Sequence, residues 1–313
     1  MEEIFDVIII GCGPAGLTAA IYTSRSRYKV LLLGNQAAGG SIRSLEEIEN
    51  YPGFSEGISG GKLGLEMMKQ AMKYGLHFKP AEVNGIEMKN SHKIVKATLN
   101  GSKEANYYQA KAVIIAGGAQ PKKLNVPGEK EFMGKGVTYC GVCDGPSFTE
   151  QSVAVAGGGD AGVTEAIYLA RFASEITVIK RGPHLDATKI LQERALANPK
   201  IKTLFRTRIE AIVGDDRVEG LNLLDLSNNE RTTLPVEGIL IRIGLEPNTG
   251  YLKDLLSMDK GGFLLVNEEL ETSAKGIFAA GDIRHGSARQ IATAVGDGTV
   301  AALAVEGLLK LEA

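Results

Sequence analysis

The chain has no tryptophan, only three cysteines and four histidines, and no apolar run long enough to cross a membrane. Three cysteines cannot build the disulfide framework of a small secreted domain. An odd, low count in a long chain fits a reducing cytoplasm, where a disulfide is usually catalytic. A membrane span needs roughly 18 consecutive apolar residues, so no membrane contact is expected. Met1 to Asp6 lead straight into an apolar strand without a basic region or cleavage pattern, so no signal peptide is expected either. The formal net charge of −2 argues against nucleic-acid binding and against a polybasic membrane patch. No two histidines stand at ligand spacing, so no metal site is expected. These exclusions leave a soluble cytoplasmic protein.

Glycine, by contrast, is abundant: 39 residues against 10 prolines, without a collagen-like period, so it belongs to turns and nucleotide loops. A length of 313 residues suggests about two domains. Phe5 to Ile10 (FDVIII) is a continuous β-branched run, the pattern of a buried parallel strand. Gly11-Cys12-Gly13-Pro14-Ala15-Gly16 follows at once, then helical composition from Leu17 to Arg25 and a strand from Val30 to Leu33. Strand, G-x-G-x-x-G, helix and strand within about 30 residues form the βαβ unit that binds dinucleotides. Gly11 permits the bend, Gly13 lets backbone approach a pyrophosphate, and Gly16 allows close helix–strand packing. The helix N-terminus supplies amide donors. Cys12 fits the turn as a small, semi-apolar filler. The acid that usually holds a ribose about 20 residues on is missing; Asn35 or backbone would substitute.

The same arrangement recurs at Ser152 to Ala156, Gly157-Gly158-Gly159-Asp160-Ala161-Gly162, a helix around 164–172 and a strand from Ile176 to Ile179. Further strands are expected at Val113 to Ala116, Ile239 to Ile243 and Ile277 to Ala280, with a closing helix from Ala292 to Leu309. The expected fold is α/β, with two Rossmann-like, three-layer nucleotide-binding domains. The strand ending at Gly281-Asp282 follows the second unit in sequence yet completes the first. The second domain (118–247) is therefore inserted into the first (1–117 and 248–313).

Between the two glycine turns lies Cys140-Gly141-Val142-Cys143-Asp144-Gly145. Two cysteines separated by two residues can close and open a disulfide, and the short spacing lowers a thiol pKa toward neutral. Half a zinc site has the same spacing, but no further cysteine or histidine follows at ligand distance. A redox pair between two dinucleotide folds reads as an electron relay.

Taken together, GCGPAG, Glu47 to Gly53 (EIENYPG), CGVCDG, GGG at 157–159 and GDIRHGSARQ at 281–290 resemble the low-molecular-weight thioredoxin reductases, in order and spacing, over nearly the whole chain. The resemblance implies FAD in the first domain, held by Gly11, Gly13, Pro14, Ala15, Gly16, Asn35, Gly40, Asn50, Gly118, Gly281 and Asp282. Ala288, Arg289 and Gln290 would lie against the isoalloxazine. Cys143 would face the flavin and Cys140 would attack the disulfide of a thioredoxin-like partner. Asp144 would move the proton, or else serve as a helix N-cap or turn acceptor. His285, close to these flavin residues, could move a proton or simply sit in a loop. The resemblance also implies a homodimer. A cysteine pair buried beside a flavin cannot also meet a protein partner, so an opening about the connections at 117–122 and 244–249 is expected.

The chain departs from its relatives at the second nucleotide site. NADPH-dependent members follow the second strand with His-Arg-Arg, three variable residues and Arg-Ala. Here Lys180 to Ala187 read KRGPHLDA, so Gly182 and Asp186 replace arginines that grip the 2′-phosphate. Each lost charge-assisted bond is worth about 1.5–3 kcal/mol. Asp160, where relatives have Asn, either repels a phosphate or caps the helix. Arg242 interrupts an apolar strand; it pairs with a carboxylate or binds an anion. These departures point to a flavin-dependent dithiol–disulfide oxidoreductase of a pyridine-nucleotide-independent branch. Its donor would be ferredoxin, docked on Lys122-Lys123 or on Lys62, Lys69 and Lys73, or another redox protein. A second flavin or another ligand could then occupy 157–187. The alternatives are an ordinary NADPH-dependent thioredoxin reductase with atypical contacts, and a flavin redox sensor that does not turn over.

Overall fold

The computed structural model describes residues 4–34, 38–45, 47–89 and 92–311. The chain divides into two units, Met1–Gln120 with Glu246–Ala313, and Pro121–Leu245.

The first unit opens with β1 (Ile4–Ile10), α1 (Pro14–Arg25), β2 (Val30–Leu33), α2 (Gly60–Met72), β3 (His77–Lys79), β4 (Ala81–Lys89), β5 (His92–Leu99) and β6 (Ala105–Ile115). The order is β3-β2-β1-β6-β5-β4. β3, β2, β1 and β6 run parallel, while β5 and β4 fold back antiparallel. Alternate side chains of β1 enter different cores. Val7 and Ile9 pack with Leu17, Leu32 and Ala301, whereas Ile8 and Ile10 pack with Leu31, Val113 and Leu264. A sheet covered on both faces thus explains why FDVIII does not alternate. Each fully buried aliphatic side chain contributes roughly 1.5–3 kcal/mol.

The chain leaves through β7 (Ala119–Pro121). The second unit contains β8 (Val137–Thr138), α3 (Gly141–Asp144), β9 (Ser152–Ala156), α4 (Asp160–Leu169), β10 (Glu175–Ile179), α5 (Lys189–Ala197) and β11 (Ile201–Leu204). It continues with β12 (Thr207–Val213), β13 (Gly220–Asp225), β14 (Arg231–Pro235) and β15 (Gly238–Ile241). A parallel sheet runs β11-β10-β9-β15-β8, and β12-β13-β14 form an antiparallel one. The chain returns through β16 (Leu245–Pro247), which pairs with β7, and ends with β17 (Ile277–Ala279) beside β6 and α6 (Ile291–Leu311).

The unit boundaries differ from the expected 117/118 and 247/248. Asn248 donates its backbone N–H to Gly118 O (3.1 Å) and its side-chain amide to Gly117 O (2.9 Å). These bonds keep Gly118 and Asn248 together in the first unit. β15 stops at Ile241, two residues short of the expected end, so Arg242 lies beyond the strand. α6 is long and apolar enough, by length and composition, to cross a membrane (mean hydropathy 1.3). It packs on α1, with Ala301, Ala302 and Val305 in the core and a buried Asp297 bound to Arg284. These contacts make it an element of the first unit.

Candidate redox and nucleotide sites

The redox pair lies at the end of β8. Cys140 and Cys143 form a disulfide, with Cα atoms 5.3 Å apart. Cys140 is the N-cap of the single-turn α3, and its Sγ accepts the Cys143 N–H at 3.2 Å. Neighbouring groups fix the turn. Thr138, buried at the end of β8, accepts the Cys140 N–H (3.0 Å) and donates to Asp144 Oδ2 (2.5 Å). Asp144 is exposed; it closes the four-residue helix and stands at the N-cap position of the 3-10 turn Gly145–Phe148, where its side chain makes no capping bond but accepts from Thr138. Tyr139 donates its hydroxyl to Glu129, which also accepts the N–H groups of Leu124 (2.9 Å) and Asn125 (2.6 Å). Burial and that carboxylate push the Tyr139 phenol well above its ordinary range. Gly141 donates its N–H to Glu165 Oε2 (2.5 Å), and Arg242 Nε donates to Oε1 of the same carboxylate (2.5 Å). Arg242 therefore has a protein partner.

At the first glycine turn, Gly11 has φ +109°, and a Cβ there would sit 2.2 Å from Ala116 O. A Cβ on Gly16 would sit 1.9 Å from Gly11 O. Both positions exclude any side chain. Gly13, the N-cap of α1, is different: the nearest atom to an added Cβ is Gly39 O at 4.0 Å. No side chain caps that helix end, and Pro14 occupies its first turn. The result is an open cradle of backbone donors at a positive helix end, fitted to an anion. Gly40 (φ +57°) lies against Gly13, with a Cβ position 3.0 Å from Gly13 Cα. Cys12 is buried in the core beside the turn. Asn35 falls outside the described residues.

The closing segment of the first unit meets the same region. Gly281 (φ +79°) presses on Ala15, where a Cβ would come within 2.9 Å. Its N–H goes to Asp297 Oδ2 (2.9 Å), and Arg284 grips both oxygens of Asp297 at 2.6 and 2.8 Å. Asp282 is half-buried and accepts from Ser287 (3.0 Å); burial holds its carboxyl above the ordinary range. Asn50 donates to Gln290 Oε1 (3.0 Å), joining two distant expected residues. Arg289 has φ +58° and lies over the Phe263 ring at 5.3 Å, and Ala288 beside it is exposed. His285 is tied by Nδ1 to Asp259 (2.6 Å) on the surface.

At the second glycine turn, Gly157 (φ +131°) and Gly162 again exclude side chains. Added Cβ atoms would meet Arg242 O at 2.0 Å and Gly157 O at 2.3 Å. Gly159 is the N-cap, so Asp160 does not cap α4. Its Oδ1 instead accepts the Thr188 N–H (2.6 Å). The N–H groups of Asp186 and Ala187 donate to Gly158 O at 2.8 and 3.1 Å. Asp186 pairs with Lys180, whose Cδ lies 3.1 Å from a Cβ position on Gly158. Of the lysines considered for docking a donor, Lys69 is paired with Glu66 and Lys73 lies near the Tyr74 ring.

The sequence reading overlooked Glu165, Thr138, Glu129 and the Asp297–Arg284 pair. A signal existed for two of them. Glu165 and Asp297 are acids on the buried faces of α4 and α6, beside Ala166 and Leu169 and beside Ala294 and Ala301. A buried acid requires a partner.

A model of the pyridine nucleotide-disulphide oxidoreductase family matches residues 5–298. The thioredoxin reductase of Bacillus subtilis is 44% identical over 306 residues, covering 97% of this chain and 95% of that protein. Among solved structures, Lactococcus lactis thioredoxin reductase superposes with a TM-score of 0.92 at 39% identity, covering 97% and 98% of the two chains. The enzyme of T. acidophilum gives 0.90 at 34%, covering 98% and 99%. The redox disulfide, the paired glycine turns and these near-full-length matches place the chain in the pyridine nucleotide-disulphide oxidoreductase family, among the low-molecular-weight thioredoxin reductases.

Proposed function

We propose that the chain is a nicotinamide-dependent thioredoxin reductase with a weakened grip on the 2′-phosphate of NADPH. The observation that carries this reading is the Cys140–Cys143 disulfide in a unit that also holds a dinucleotide-type glycine turn. FAD, when bound, supplies a two-electron carrier between nicotinamide and disulfide. The cradle at Gly11, Gly13, Pro14, Ala15 and Gly16, with Gly40 and Gly118, suits its pyrophosphate. Asp282 suits its ribityl hydroxyls, and Asn50, Ala288, Arg289 and Gln290 suit the ring. Within the second unit, opening the disulfide frees two sulfurs. Cys140 Sγ attacks a disulfide sulfur of a thioredoxin-like protein, Cys143 Sγ resolves the mixed disulfide, and Asp144 holds the proton exchanged with sulfur. A homodimer is part of the same reading.

One observation favours a second reading. The Lys180–Asp186 pair and Gly182 occupy the place where relatives put phosphate-binding arginines. That arrangement suits a donor other than NADPH, such as a ferredoxin-type protein, or another ligand at 157–187. One experiment separates the two. Oxidised flavoprotein is mixed anaerobically with NADPH or NADH, and flavin absorbance is followed before thioredoxin disulfide is added. Rapid bleaching followed by steady turnover supports the first reading. Bleaching by dithionite alone, with turnover intact, supports the second. Reduction without any turnover would leave a redox sensor.

A further inference from the structure

We propose that Glu165 and Arg242 are positioning residues of the redox pair, setting the thiol–disulfide equilibrium of Cys140–Cys143 through opposed charges behind the Gly141 amide. The inference rests on the redox role proposed above for that pair.

Glu165 comes from α4 and Arg242 from the end of β15, and both meet at the residue that follows Cys140. The Glu165 side chain is 8% exposed and that of Arg242 19%. One carboxylate oxygen takes the Gly141 N–H and the other takes Arg242, so the acid is held from two sides. The packing leaves little room for another arrangement. A Cβ on Gly141 would sit 2.7 Å from Glu165 Oε2. On the other side, the Arg242 backbone closes on Gly157, and its N–H is held by Ala156 O at 2.7 Å. Burial raises the Glu165 carboxyl, while Arg242 and the Gly141 amide oppose that rise. Removing Arg242 therefore leaves a costly buried charge.

Reduction breaks the Cys140–Cys143 bond with two electrons; one sulfur takes a proton and the other becomes thiol or thiolate according to pH. A carboxylate one residue away opposes that new negative charge, and a guanidinium favours it. In the parent protein the two nearly cancel. Each partner alone then moves the equilibrium, in opposite directions. A pair that merely held the fold together would shift it the same way whichever side was cut.

The test equilibrates flavin-loaded protein with dithiothreitol buffers at mildly alkaline pH, then alkylates and weighs the Cys140–Cys143 segment. Glu165→Gln is expected to make the disulfide about three- to tenfold easier to reduce, about 15–30 mV for a two-electron couple. Arg242→Met is expected to make it harder to reduce by a similar factor. The double variant returns toward the parent, and Arg242→Lys stays within about twofold of it. Shifts of the same sign, or none in folded variants, would overturn the proposal. Should either neutral variant fail to fold, Arg242→Lys against the double variant still decides: unequal, large departures from the parent would count against it. The readout needs no nucleotide, thioredoxin or turnover, so its failure is distinct from failure of the proposed function.

Discussion

Lys180 and Asp186 form an ion pair beside Gly158, in the loop where the family resemblance leads one to expect arginine. With Asp186 56% exposed, the pair adds little stability, about 1 kcal/mol or less. The pair engages the lysine charge within the loop and leaves a half-exposed carboxylate there. Introducing two arginines, as Gly182→Arg with Asp186→Arg, should raise kcat/KM for NADPH about tenfold or more per arginine. The basis is about 1.5–3 kcal/mol for each charge-assisted bond. The NADH value should change little. Steady-state kinetics with both nucleotides checks this; an equal gain for NADH would show that the loop does not read the phosphate.

The Asp297 carboxylate supports the Gly281-Asp282 segment through one backbone N–H and a bidentate arginine. Asp297→Ala removes one partner of a largely buried pair and should destabilise the unit by about 3–5 kcal/mol. Denaturant unfolding measures the loss, and flavin content should fall with it. Asp297→Asn, which keeps one acceptor for the Gly281 N–H, should lose less.

Two largely buried ion pairs mark where the sequence pattern ends. The FDVIII run, both glycine turns and the cysteine spacing are local patterns, each completed within a few residues, and they were legible. Arg284–Asp297 and Glu165–Arg242 join side chains from separate elements, so no local period announces them. Strand ends were blurred for the same reason. Ile243 continues the apolar pattern of Gly238–Ile241, but Arg242 turns away to meet Glu165. The antiparallel strands β4, β12 and β14 show no continuous apolar run because exposed polar residues interrupt them. The reading of Asp160 as a cap failed because its carboxylate reaches Thr188, 28 residues away.

Asp282 gives a pH signature. Burial raises its carboxyl above the ordinary value of 3.8. A group whose folded pKa is raised favours the fold below the unfolded value, and that contribution is lost as pH climbs through the folded value. In flavin-free protein, Asp282→Asn should therefore be more stable than the parent at neutral pH and equal to it in acid, below about 3.8. Thermal unfolding across that range checks the sign. A variant less stable than the parent at neutral pH would show that the ionised carboxylate is favoured in the fold.

The cysteines and their neighbouring acid separate by kinetics. Ser at Cys140 or at Cys143 leaves one sulfur, which cannot form the intramolecular disulfide. Turnover of a protein disulfide should then fall by about a hundredfold or more, with flavin still bound. Asp144→Asn keeps an acceptor for the Thr138 hydroxyl, so the turn should survive. Loss of proton transfer should nevertheless lower turnover about a hundredfold, within the usual range for general acid–base groups. Thr138→Val removes the same hydrogen bond but spares the carboxylate, and should cost much less. An Asp144→Asn variant that turns over like the parent, with Thr138→Val impaired, would assign Asp144 to holding the turn, and its proton role would be lost.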